Sequence, residues 1–276
     1  LFEGTEKTDE KDRSAGLTEE VMGKIVAIAN QKGGVGKTTT AVNLTAALGA
    51  KGFRTLLVDV DPQGNSTSGL GINKRGLEFS TYDLLVGDTP AEKMLVQTEF
   101  ENVDLLPSNI ELAGAEIELV EMQDRAMQMK KALIEMKSVY DFILIDCPPS
   151  LGIITLNAFT ACDTLLIPIQ CEYYALEGLS QLMATLRQVK RLYNPNVDIE
   201  GVLLTMYDSR LNLTVQVVEE LKKYFPQKIY RTVIPRNVRL SEAPSFGQPV
   251  MYYDRASKGC AAYEQLTQEF LEKNKR

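Results

Sequence analysis

Short apolar runs alternate along this chain with stretches in which apolar residues recur every three or four positions. The runs at 25–29, 55–60, 103–107, 141–146, 164–168, 201–205 and 232–235 are each a few residues long, and most are apolar through the middle. Such runs predict strands of a parallel sheet covered on both faces. Helical spacing appears over 39–49, 112–136, 177–192, 214–224 and 263–273, with a shorter helical piece at 82–86. In the long 112–136 stretch, Leu119, Met122, Met129 and Leu133 are apolar positions that predict a core-facing stripe, with the methionines as core filler. Strands alternating with helices predict an α/β fold, doubly wound, with a mainly parallel sheet and helices on both faces. No internal repeat and no low-complexity tract interrupts the pattern.

The first run passes into Gln31-Lys32-Gly33-Gly34-Val35-Gly36-Lys37-Thr38-Thr39 and then into a helix. Strand, glycine-rich turn and helix is the order that phosphate binding needs. Glycines let backbone N–H groups turn toward an anion, and the helix N-terminus adds partial positive charge there. Lys37 can reach the outer phosphates and the Thr38 hydroxyl can sit on Mg²⁺. The usual phosphate-loop pattern would place a glycine at 31, where this chain has Gln31, and an extra lysine, Lys32, follows.

Two further runs end in carboxylates. Residues 55–60 lead to Asp59 and Asp61, and residues 141–146 end at Asp146. Carboxylates at the carboxyl ends of parallel strands lie where open α/β sheets bind ligands. Asp146 is placed to hold the metal and Asp61 to orient an attacking water, the few groups phosphoryl transfer requires. The bland alternatives are a strand-end carboxylate for Asp146, and a solvated turn residue or helix cap for Asp61. Asp59 receives no role.

Composition narrows the field. The 276 residues contain no histidine, which removes His-based triads, imidazole bases and His metal sites. Cys147, Cys162, Cys171 and Cys260 lack metal-type spacing and fit a reducing cytosol as buried thiols. No apolar run approaches the length of a membrane helix, and no signal peptide precedes the first strand. Residues 1–21 are acidic and aperiodic, which predicts a disordered leader or an added extension, with Met22 a plausible native start. Residues 22–276 are then expected to form one P-loop domain. The net charge of −7 argues against nucleic acid, but residues 201–258 hold nine basic and five acidic side chains. A basic face on an acidic molecule is therefore possible.

The segments KGGVGKTTTAVNL, VDVDPQGNSTSGLG, DFILIDCPPSLG, QCEYYALEGLSQL and VIPRNVRLSEAPSFGQPV resemble the ParA/Soj family of partitioning ATPases, deviant Walker A P-loop NTPases. The resemblance covers about residues 22 to 270, and none of these blocks departs from the family's pattern. It implies an ATP hydrolase with Mg²⁺ and weak basal turnover. It implies an ATP-dependent homodimer that binds double-stranded DNA without sequence specificity, and a ParB-type partner that stimulates hydrolysis and release. Location in the cytoplasm, associated with the nucleoid, follows. By motif match, Lys32 is the lysine that acts across the dimer and Lys37 the loop lysine. Gly33, Gly34, Val35, Gly36, Thr38 and Thr39 complete the phosphate loop. Asp61 is the catalytic aspartate, and Thr38, Asp61 and Asp146 belong to the metal site. Pro235 and Asn237 match the segment framing adenine. Arg210 and Arg239 match arginines that contact DNA, with Lys222, Lys223 and Arg236 near in sequence. Lys222 and Lys223 adjoin Glu219 and Glu220, so a solvated helix face is the alternative for them.

Three rivals share parts of the pattern. A MinD-like membrane ATPase needs a basic amphipathic tail, but the segment 263–276 mixes Glu264, Glu269 and Glu272 with its lysines, so no membrane partner is expected. An iron–sulfur reductase needs cluster cysteines, which Cys147 and Cys162 do not resemble in context. A non-catalytic scaffold would not need the loop, Asp61 and Asp146.

Overall fold

The computed structural model describes residues 22–172 and 175–275. The expected leader at 1–21 lies outside the described residues. The chain runs β1 (Lys24–Ile28), α1 (Lys37–Ala50), β2 (Thr55–Asp59), α2 (Asn65–Gly69), α3 (Thr81–Val86), β3 (Val96–Gln97), β4 (Val103–Leu106), α4 (Leu112–Glu118) and α5 (Gln128–Leu133). It continues through β5 (Phe142–Asp146), α6 (Ile153–Ala161), β6 (Thr164–Gln170), α7 (Ala175–Leu192), β7 (Asp198–Tyr207), α8 (Asn212–Tyr224), β8 (Ile229–Pro235), α9 (Val238–Glu242), α10 (Val250–Tyr253) and α11 (Lys258–Lys273).

All eight strands join one sheet in the order β3-β4-β2-β5-β1-β6-β7-β8. Every pairing is parallel except that of the two-residue edge strand β3 with β4. Strand β1 is central, between β5 and β6, so the loop after it opens where the connections diverge to either side. Alternation along β1 divides the core. Ile25 and Ala27 face a layer that includes side chains of α3 to α8, whereas Val26 and Ile28 face α1 and α11. Both faces are therefore covered, which is why the strands read as unbroken apolar runs rather than as alternating ones.

Helix α11 contributes Tyr263, Leu266 and Phe270 to the second layer, packed on α1 and β8. The apolar residues of the tail are thus engaged in the protein's own core. At the opposite end of β1 from the glycine loop, Lys24 Nζ donates to Glu200 Oε2 at 2.5 Å. Asn274 Nδ2 donates to Glu200 Oε1 at 2.9 Å, and Lys24 also bonds Asn274, so the first strand and the end of α11 share one buried carboxylate.

The long helix expected over 112–136 is broken. Helix α4 ends at Glu118, a single 3-10 turn follows, and α5 does not begin until Gln128. Asp124 adopts φ 53°, a left-handed conformation that short polar side chains tolerate and that no α-helix can contain. Asn157 of α6 holds the break by donating to the Arg125 carbonyl at 2.7 Å and accepting from the Met129 N–H at 3.2 Å. Leu119, Met129 and Leu133 are fully buried despite the break, while Met122 packs at the core's margin.

Candidate functional site

The glycine loop connects β1 to α1 at the carboxyl edge of the sheet. Gly34 and Gly36 have φ of 74° and 86°, values that residues with a Cβ rarely adopt, and Gly36 stands immediately before the first turn of α1. Val35 is buried and anchors the loop, and its carbonyl accepts from Thr205 Oγ1 of β7 at 2.8 Å. Gly33 and Gly34 are exposed and line the cavity at the start of α1, where loop backbone can meet an anion.

Lys37 is buried at the start of α1, and its ammonium donates to the Lys32 carbonyl at 3.0 Å. Burial pulls its pKa below the ordinary lysine value, while Asp146 and Asp61 pull the other way. Asp61 follows β2 and is nearly buried. It accepts from the Gln63 N–H at 2.9 Å, and its own N–H donates to Asp59 Oδ1 at 3.2 Å. Asp59, to which sequence alone gave no role, also receives the Thr67 N–H and hydroxyl, both at 2.8 Å. It therefore fixes both the Asp61 turn and helix α2.

Asp146 ends β5 beside β2 and is completely buried. Ser66 Oγ donates to its Oδ2 at 2.8 Å, while Oδ1 has no hydrogen-bond partner among the described residues. Burial and then the neighbouring Asp59 raise its pKa, against Ser66, Thr38 and Lys37. A buried carboxylate oxygen without a donor, next to a threonine hydroxyl, suits a hard cation that takes oxygen ligands. Among the described residues, no cluster of three acidic or thiol side chains forms a cage made of protein alone. Mg²⁺ does not require one, because it keeps waters and phosphate oxygens in its shell.

Two cavities meet at this loop. One, of about 370 Å³, is lined by Gly33, Gly34, Lys37, Thr38, Asp61 and others. The second, of about 300 Å³, includes Pro235, Asn237, Leu240 and Tyr263. Gly36, Thr39 and Met206 line both. Sharing these residues, the two adjoin as one trough, with Lys37, Thr38 and Asp61 at one end and Pro235, Leu240 and Tyr263 at the other. Pro235 closes β8, and Asn237 caps α9 by accepting from the Arg239 N–H at 3.0 Å.

Lys32 lies on the loop's outer edge, half-buried, and pairs with Glu172. Arg210 lies on the turn after β7, with an exposed side chain held by Asp208 through two hydrogen bonds of 2.9 and 2.7 Å. Arg239 pairs with Glu242 at 2.7 Å and with Asp254 at 3.1 Å. Lys223 pairs with Glu220, as expected of a solvated helix face. The glycine loop, Lys37, Thr38, Asp61, Pro235 and Asn237 thus line one trough, with the buried Asp146 acting on Lys37 beside it, whereas Arg210 lies on an exposed turn and Arg239 is exposed on α9.

The sequence reading passed over Ser66, Thr67 and Met206. The first two belong to a helix of only five residues, too short to show a period. Met206 has a left-handed backbone, φ 48°, which nothing in its composition signals.

The AAA domain family matches residues 23–199. Over 248 residues the chain is 59% identical to the sporulation initiation inhibitor protein Soj of Bacillus subtilis, spanning 90% of this chain and 98% of that protein. It is 51% identical to the chromosome partitioning protein ParA of Myxococcus xanthus, spanning 92% of this chain and 89% of that one. Among solved structures, it superposes with a TM-score of 0.80 and 38% identity on a Mycobacterium smegmatis protein described as cobyrinic acid a,c-diamide synthase with bound ATP analog and magnesium. That match covers 92% of this chain and 96% of the other.

Proposed function

The chain belongs to the ParA/Soj family of chromosome-partitioning ATPases, and from that premise we propose that it is an ATP-switched dimer that binds DNA and releases it on hydrolysis. The observation that carries this reading is the cavity lined by the glycine loop, Lys37, Thr38 and Asp61, with the buried Asp146 and its unpartnered oxygen acting on Lys37 beside it.

In this reading the loop N–H groups and Lys37 bind the phosphates of ATP, and the base lies against Pro235 and Asn237. Mg²⁺, when bound, neutralises charge on the phosphate oxygens, and Thr38, Asp61 and Asp146 form its protein surroundings. Asp61 orients the attacking water; its backbone is fixed by its N–H bond to Asp59 and its carboxylate by the Gln63 N–H. Lys32 exchanges Glu172 for a phosphate of the ATP in a second copy of the chain, adding charge stabilisation only when two copies meet. Slow turnover in the monomer follows from that requirement.

The paired copies present Arg210 and Arg239 to duplex DNA. Contacts to phosphate give affinity without reading sequence, as a protein that works anywhere on the nucleoid requires. A ParB-type partner accelerates hydrolysis and so ends the DNA-bound state. Duplex binding measured with ATP, with ADP and without nucleotide tests the reading. Binding with ATP alone is expected, and equal binding in all three conditions would overturn it.

A further inference from the structure

Met206 stands where the trough and the exposed arginine turn are joined. Among the described residues, the other non-glycine positions with positive φ are Asn102, Asp124 and Lys275. The first two are types that tolerate the left-handed region, and Lys275 lies beyond the last helix. Met206 is a long apolar residue inside a strand. Its conformation coincides with an irregularity in the ladder, where Leu204 pairs with Val233 but Tyr207 pairs with Pro235. Strand β7 thus carries one residue more than β8 over this interval. Such a bulge re-aims the chain beside a site.

The neighbours on either side are fixed to different things. Thr205 is bonded to the phosphate loop at Val35. Met206 itself lines both cavities, with Gly36 and Thr39. Two residues on, Asp208 holds the Arg210 guanidinium through two bonds and also accepts the Arg210 N–H at 3.1 Å, so Asp208 and Arg210 move as one unit. We propose that Met206 is the positioning residue through which an occupied nucleotide trough orders the turn that carries Arg210. A nucleotide that fills both cavities abuts Met206, and the bulge leaves the chain one direction in which to continue. This inference rests on the nucleotide reading above and extends it toward the DNA-contact turn.

Amide hydrogen exchange of the full chain, with and without a non-hydrolysable ATP analogue and Mg²⁺, tests it. In the wild type, the analogue is expected to slow exchange at 33–39 and, by about tenfold, also at 207–212. Met206→Gly frees the backbone and removes the side chain that abuts the nucleotide. Met206→Ala removes that side chain while keeping the restrictions of an L-residue. With the analogue at a concentration that saturates each variant, read from the slowing at 33–39, both should hold the slowing at 207–212 below about twofold, while Met206→Leu follows the wild type. Unchanged exchange at β1 and β5 certifies that each variant is folded. Full slowing at 207–212 in both the Gly and Ala variants would overturn the proposal, as would wild-type slowing confined to 33–39. Absence of slowing at 33–39 in the wild type would remove the nucleotide reading as well. Variants that behave as expected, in a protein whose wild type shifts no DNA, would support the role of Met206 and refute only the DNA reading.

Discussion

Asp59 and Asp146 are register partners on β2 and β5, and both side chains are completely buried. Burial is the largest influence raising the pKa of each, and Asp59 is the next largest on Asp146. Two carboxylates so placed strain the empty site and favour whatever brings positive charge to it. Asp146→Asn should therefore stabilise the nucleotide-free chain at pH 8 by ~1 kcal/mol, about 2–4 °C in melting temperature. The same variant should lose at least ~100-fold in Mg²⁺-dependent ATPase activity. Thermal melts and a phosphate-release assay would check both halves.

Lys37 is held ready by the Lys32 carbonyl, and its removal leaves the phosphate end without its buried cation. Lys37→Ala is expected to weaken ATP binding by at least ~100-fold, measured with a fluorescent ATP analogue. Wild-type affinity in this variant would contradict the placement of the phosphates.

Asp61 and Lys32 should separate binding from turnover. Asp61→Ala keeps the loop and Lys37, so it should bind ATP, hydrolyse it at least ~100-fold more slowly and accumulate as a dimer on size-exclusion chromatography. Lys32→Ala should bind ATP and remain monomeric. A monomeric Asp61→Ala variant, or a dimeric Lys32→Ala variant, would count against an interface built on the loop.

Arg210 and Arg239 are exposed and make only surface ion pairs, Arg210 with Asp208 and Arg239 with Glu242 and Asp254, so their loss should leave the fold intact. Each alanine variant is expected to retain the ATP dimer and to weaken duplex binding. The slope of log affinity against log salt should fall by about one for each DNA phosphate no longer neutralised. A duplex shift assay at several salt concentrations reads this directly, and an unchanged slope would exclude that arginine.

Glu200 contributes to acid stability. Burial alone would raise its pKa, but the Lys24 ammonium, with Thr164 and Asn274, outweighs burial and holds it below the ordinary value of 4.5. A carboxylate held low in the folded chain and released on unfolding stabilises above its unfolded-state pKa. That contribution is lost as pH falls through the folded-state value. Wild-type stability should therefore decline below about pH 4.5 with a contribution that Glu200→Gln lacks. At pH 7 the variant should be less stable by about 2 kcal/mol, because the Lys24 charge is left without its partner. Urea titrations across this pH range would show the flatter acid limb.

The parts of the molecule that the sequence made legible are those with a strong local signal. β1, β2, β5 and β6 read as unbroken apolar runs because both faces of the sheet are covered. The phosphate loop was legible because glycines and a lysine follow such a run at fixed spacing. Helix α6 was missed because it is apolar nearly all round, with Ile154, Ala158, Phe159 and Ala161 buried, and so shows no helical period. The helix expected over 112–136 was overextended, because one apolar stripe continues across the break at Asp124. Asp59 was visible as a residue but not as a brace, since its partner Thr67 lies on a helix too short to announce itself. The bulge at Met206 arises from pairing between β7 and β8, which no local pattern encodes.

The carboxylate that ties Lys24 to Asn274 has an engineering consequence. Residues 24 and 274 meet at the amino-terminal pole of β1, while the glycine loop follows the other end of that five-residue strand, ~16 Å away. A short linker from residue 274 back to residue 24, with new termini opened in an exposed turn elsewhere, would give a circular permutant in which the order of strand, glycine loop and helix is untouched.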